Sequence, residues 1–81
     1  MSIIFKCFYN GRRAHVSVLI HLSDAHLTLT DLETREEVLA ICIPATDARR
    51  LIAEGNICDY MIAKAKFWEA SKHYTRLHDI D

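Results

Sequence analysis

The sequence predicts an α+β fold: an antiparallel four-stranded meander built by the first half of the chain, then a short helix and a longer C-terminal helix. Three observations predict it. Apolar and polar residues alternate with the two-residue period of a strand from about residue 2 to residue 31, broken at turn-forming pairs. Asn10-Gly11 is a hairpin dipeptide, because both residues tolerate positive φ. From Tyr60 to Leu77 the apolar period lengthens to alternating steps of three and four residues, the spacing of one helix face.

The first strand, about residues 2–9, sets Ile3, Phe5, Cys7 and Tyr9 on one side and Ile4, Lys6 and Phe8 on the other. The second, about 13–22, alternates more cleanly, with Ala14, Val16, Val18, Ile20 and Leu22 inward and His15, Ser17, Leu19 and His21 outward. Ser23-Asp24 reads as a second tight turn into a third strand, about 25–31, with Ala25, Leu27 and Leu29 inward. A two-residue loop there sets Leu22 opposite Ala25, so every inward residue meets an inward partner. Asp31 to Glu36 is polar and turn-like. A fourth strand, about 37–43, is apolar on both alternating sets and is therefore expected to be covered on both sides or to lie in an interface. Pro44 ends it. Thr46 or Asp47 can cap a short helix over about 47–54, and Gly55-Asn56 offers a left-handed stop. The last helix, about 57–78, carries Tyr60, Ala63, Phe67, Ala70, Tyr74 and Leu77 as one apolar stripe, expected to pack on the sheet, on a partner, or on both.

The chain of 81 residues is expected to form a single domain over 1–81, since two cores of about 40 residues each rarely stand without metals or disulfides. With 51% hydrophobic and 26% charged residues, and only two glycines and one proline, little of it suits a linker. A net charge of -1 excludes a global field toward nucleic acid or an anionic membrane, so nucleic acid could be held only through a local basic patch. Cys7, Cys42 and Cys58 are odd in number and widely spaced, with no paired-cysteine motif, which points to reduced thiols in the cytoplasm. Lys6 interrupts the apolar start, and no apolar run approaches the ~20 residues of a membrane span, so neither a signal peptide nor a membrane is expected.

The candidate chemistry is thin. His21 and His26 fall opposite each other in the expected register, with Cβ atoms about 4.5 to 5.5 Å apart, but a transition metal needs three or four ligands. His73 and His78, five apart on a helix, point in different directions. Cys7 and Cys42 read as small core residues, and Cys58 as one near a helix start. The carboxylates of Glu36, Glu37, Asp79 and Asp81 lie in a turn or at the terminus, without a geometry for acid and base work. No catalytic residue, metal site or cofactor is assigned.

The best functional signal lies on the last helix. Lys64, Trp68, Lys72 and Arg76 recur every four residues as a cationic stripe around one indole, and Met61 lies on the same side. Tryptophan among cations is the composition of a binding hot spot, and such a strip can also track a nucleic-acid backbone. The expected function is therefore a small non-enzymatic binding protein, an inhibitor or adaptor, occupying a surface of a larger protein or nucleoprotein assembly. A homodimer would use the same surface. A nucleic-acid-binding module is the alternative, and a small enzyme or metal protein the third. The layout is common among small interaction modules and small proteins of phages and mobile elements, an analogy of fold that carries no function.

Overall fold

The computed structural model describes residues 2–80, with side chains through Ser71. Its elements are β1 (Ser2–Tyr9), β2 (Arg12–His21), β3 (Asp24–Asp31), β4 (Glu37–Pro44), α1 (Ala45–Ala53) and α2 (Ile57–Ile80). The strands form one open antiparallel sheet in the order β1-β2-β3-β4, the α+β meander that the alternation predicts. Asn10 and Gly11 stand at φ 54 and 76, and Tyr9 pairs with Arg12, so the first hairpin closes with two residues of positive φ. Such a turn matches the right-handed twist of the flanking strands.

Both helices pack on one face of this sheet. Its core is Val16 and Val18 of β2, Leu27 and Leu29 of β3, and Ile57, Met61 and Ala65 of α2, with Ala48 of α1 beside them. Along β2 the burial alternates with the two-residue period, Ala14, Val16 and Val18 buried and Leu19 and His21 exposed. Rows such as Ile4–Ser17–Thr28–Ala40 cross the opposite face, which neither helix covers.

Four expectations are corrected. The second turn is Leu22-Ser23, not Ser23-Asp24, so Ile20 pairs with Ala25 and Val18 with Leu27. The faces survive, because moving a two-residue turn by one position keeps inward residues opposite inward residues. The local cost is Leu22 at φ 58, a left-handed conformation that disfavours a leucine. The compensation is at the far end of the hairpin, where this register sets Asp31 opposite Ala14, two residues from its partner Arg12. His21 consequently faces Asp24, and His26 lies between Leu19 and Cys42, so the two histidines are not a pair.

β4 is covered on one side only: Leu39, Ile41 and Ile43 pair with the inward residues of β3, while Ala40 and Cys42 are exposed. Cys42 is thus a surface thiol and not a core residue. A bulge at the start of β4, where Thr30 pairs with Glu37 and Leu29 with Leu39, leaves Val38 as the extra residue. α1 begins at Ala45, with Pro44 as N-cap and no side-chain cap from Thr46 or Asp47. The Ala45 N–H donates to the Ser23 carbonyl at 2.8 Å, so a backbone bond to the second turn replaces the side-chain cap. At its other end the Asn56 N–H donates to Leu51 and the Gly55 N–H to Ile52, with Gly55 at φ 74, a left-handed glycine stop.

The fourth correction concerns α2. Its buried residues are Ile57, Met61 and Ala65, spaced by four, whereas Ala63 and Ala70 are exposed and Phe67 is 73% exposed. Tyr60 is half-buried, and the side chains of Tyr74 and Leu77 lie outside the described residues. The helix carries two apolar stripes, and the one through Ile57, Met61 and Ala65 meets the sheet. Among the described residues no helix is long and apolar enough to cross a membrane.

The register makes a sharp demand on neighbouring positions. Val18→Asp, at a fully buried site, should cost several kcal/mol, on the order of the whole stability of a small domain. Ser17→Asp, one residue away on the uncovered face, should shift a urea midpoint only slightly. Equal midpoints would contradict the two-faced sheet.

Candidate functional site

Among the described residues, Met61 stands apart from the other sequence-predicted site residues. Met61 is fully buried in the core, because it shares the inward helical phase of Ile57 and Ala65. Lys64 is exposed, with Nζ 5.5 Å from the centroid of the Tyr60 ring. The side chains of Lys72 and Arg76 lie outside the described residues. Trp68 is 50% exposed and lines a cleft whose other charged walls are mostly acidic.

That cleft sits at the end of the sheet marked by the Asn10-Gly11 turn, and a residue missed by sequence reasoning builds it. Asp31 is 2% exposed and ends β3 on the core side. One carboxylate oxygen accepts from the Arg12 Nε–H at 2.6 Å, and the other accepts the backbone N–H of Glu33 at 2.9 Å and of Thr34 at 3.2 Å. Its own N–H donates to the Glu36 carbonyl, and its carbonyl accepts from Arg35. Residues 32–36 are thereby wound around one side chain. The loop is also tied to β2, since the Leu32 N–H donates to the Arg13 carbonyl and the Arg13 N–H to the Glu33 carboxylate. The Arg12 hydrogen bond, assisted by the two loop amides, holds the Asp31 carboxyl below its ordinary value against the opposing effect of burial. The signal in the sequence is the register itself: residues 25, 27, 29 and 31 share the inward side of β3, and the last of them is a carboxylate.

Between this loop, the first hairpin and α2 the cleft encloses about 230 Å³. Tyr9 and Arg12 line it from the hairpin, Glu36, Glu37 and Val38 from the start of β4, and Trp68 and Glu69 from the helix. Tyr9 is 2% exposed, and its hydroxyl lies beside the Glu69 carboxylate. Burial first, and then the neighbouring Glu69 carboxylate, push that hydroxyl up to about 12. A second depression, of about 370 Å³, lies at the same end of the sheet, between Phe8, Arg13 and Leu32. Phe8, 70% exposed, opens this depression onto the uncovered sheet face, where Ile4 and Leu19 are also exposed.

The cysteines are free. Cys7 and Cys58 neighbour each other, and the Cys58 thiol points to the Lys6 carbonyl at 4.0 Å. Burial, then the adjacent Cys58, push the Cys7 thiol up to about 11, and burial likewise raises Cys58. Among the described residues no three His, Cys, Asp or Glu side chains gather where they could hold a metal ion. No protein-family model, curated protein or solved structure matches the chain.

Two outcomes follow from these environments. The Asp31 carboxyl stays ionised to lower pH in the folded chain than in the unfolded one, so across that window the unfolded state binds more protons. Its contribution is therefore complete above about pH 4 and lost as pH falls through the depressed folded value. Asp31→Asn should lower the neutral-pH thermal midpoint by several degrees and flatten the acid limb of a midpoint-against-pH curve. A parallel acid limb in the variant would show that Asp31 does not anchor the loop. In native protein at neutral pH, alkylation followed by mass spectrometry should label exposed Cys42 about tenfold faster than Cys7 or Cys58.

Proposed function

We propose that the protein is a small non-enzymatic binding module that acts in the cytoplasm by occupying a surface of a larger protein or nucleoprotein assembly, as an inhibitor or adaptor. The observation that carries this reading is the apolar population of the sheet face that the helices leave uncovered. An antiparallel sheet facing water ordinarily turns polar residues outward, and here Ile4, Phe8 and Leu19 are exposed among Lys6, Arg13 and His26. Ser17, Thr28 and Ala40 lie in the same cross-strand row as Ile4, a row of small side chains across the face, while Lys6 and His15 stand between Ile4 and Phe8. Phe8 also borders the apolar depression with Leu32, and Trp68 stands half-exposed beside the cleft at the same end of the domain. Large rigid aromatics with one free side are the usual anchors of protein interfaces.

Self-association would use the same face. Lys6 and Arg13 flank Phe8, which supports nucleic acid as the second reading, since a cationic groove with a stacking aromatic is how single strands are held. Steep loss of binding with salt separates that reading from an apolar protein interface.

The test is affinity capture from the native cells by the purified protein, paired with sedimentation velocity and thermal melts. Phe8→Ser and Trp68→Ala should each weaken retention of a partner, or self-association, by ~2 kcal/mol or more while moving the melting midpoint by only a few degrees. Undiminished capture by Phe8→Ser would sink the proposed face. A collapse of the midpoint in Trp68→Ala would return that residue to the core.

A further inference from the structure

Resting on the reading of the uncovered sheet face as a binding face, we infer that its occupant is a second copy of this chain, seated face to face about a twofold axis parallel to the strands. The strand register fixes what such an axis brings together. Residues opposite one another on neighbouring strands form rows across the sheet, whose order is β1-β2-β3-β4. A copy turned over about the strand direction therefore sets β1 on the second copy's β4 and β2 on its β3, with each row lying on itself.

The first argument is size. The large exposed apolar residues of the face, Ile4, Phe8 and Leu19, all lie on β1 and β2, while the half made by β3 and β4 carries Thr28, Ala40 and Cys42. In the row Ile4–Ser17–Thr28–Ala40 the axis sets Ile4 on the second copy's Ala40, with Ser17 and Thr28 at the centre. In the next row Ser2 meets Cys42, and the Leu19 side chains of the two copies lie diagonally across the axis. Large residues over small ones are how facing sheets interdigitate. Turning the copy end over end about the same central row would instead set Ile4 on Ile4 and Ala40 on Ala40, crowding one edge and leaving a gap at the other.

The second argument is charge, and it is independent of size. In the row Lys6–His15–Thr30–Glu37 the cation and the carboxylate stand at opposite ends, Glu37 at the corner where the face adjoins the Trp68 cleft. The axis sets Lys6 on the second copy's Glu37, twice by symmetry. Facing sheets stand about 10 Å apart, a gap that an extended lysine and glutamate span together. Beyond that row Arg13 extends the cationic half, and the loop after β3 extends the acidic half with Glu33 and Glu36 against one cation, Arg35. At the other end of the sheet His21 on β2 meets the second copy's Asp24 on β3. A foreign polyanion would match only half of this face, whereas a turned copy matches both halves. Four strands ~4.8 Å apart, each of about eight residues rising ~3.3 Å, give a footprint of roughly 500 Å² per copy. The total of about 1,000 Å² is the lower bound for a specific interface and the size of a weak, reversible dimer.

The experiment is sedimentation velocity on the full chain from ~10 μM to ~1 mM. Native protein is compared with Lys6→Glu, Glu37→Lys and Ala40→Tyr, all at exposed positions, so melting midpoints of dilute samples should stay within a few degrees of one another. The expected result is a reversible dimer, with each charge reversal raising its Kd about tenfold or more, because two like-charged pairs then face each other. An equimolar mixture of Lys6→Glu and Glu37→Lys should recover the native Kd, since both contacts of the mixed dimer again join opposite charges. Salt should shrink the effect of the reversals, while Ala40→Tyr should block the dimer at any salt. A monomer throughout, a dimer indifferent to the reversals, or a mixture no tighter than its components overturns the inference. The two readings fail separately. A chain that stays monomeric yet captures a partner through Phe8 removes the second copy alone. A dimer recovered by mixing, with no Phe8-dependent partner captured, removes the larger assembly alone.

Discussion

Asp31 is the residue on which the rest of the molecule depends. Its buried carboxylate has three donors to satisfy it, one guanidinium and two loop amides, and each donor fixes a different part of the chain. The Arg12 contact ties the end of β3 to the first hairpin. The amide contacts wind residues 32–36 into a turn that delivers the chain to β4 one strand further on. A carboxylate at an inward sheet position is costly unless its lone pairs are filled, so the loop conformation and the carboxylate's burial stabilise each other. The register of the second hairpin is compatible with this contact and places Leu22 in a conformation that leucine disfavours.

Covering only one face of the sheet divides the molecule into two kinds of surface. On the core side, Met61 and Ala65 bring α2 close to β2 and β3, and the residues following Ala65 as far as Ala70 are exposed. On the other side, Ile4, Phe8 and Leu19 have no partner within the domain. The two depressions, one apolar beside Phe8 and one acidic beside Trp68, lie at the same end of the sheet, where the first hairpin and the Asp31 loop meet. A partner could therefore be gripped by apolar contact and by charge at once, with the rigid loop as the common support.

The environment of Trp68 is built from more than its own helix. Lys64, Lys72 and Arg76 share its four-residue spacing, and among the described residues the fold also brings Arg12, Asp31, Glu36 and Glu37 to the cleft that it lines. Lys64 is nearest to the Tyr60 ring on its own helix. Electrostatic character belongs to surfaces, and those surfaces are assembled from segments far apart in the chain.

The strands, the first turn, the inward sets of β2 and β3, except Leu22, which is 84% exposed in the second turn, and the glycine stop after α1 were legible from the sequence, because each rests on contacts between near neighbours in the chain. Alternation assigns Val16, Val18, Leu27 and Leu29 to one face whatever the register, and Asn10-Gly11 and Gly55 act through their own backbone angles. The tertiary structure decided the rest, and in each case a distant contact outweighed a local preference. The second turn is Leu22-Ser23, in the register that brings Asp31 near Arg12 and separates His21 from His26. The one-sided cover of β4 exposed Cys42, which the apolar strand around it had concealed. On α2, two stripes were nearly equal in apolar content, and only contact with the sheet could choose Ile57, Met61 and Ala65 over Ala63, Phe67 and Ala70. Period identifies the faces an element has; which face is buried depends on what the rest of the chain sets against it.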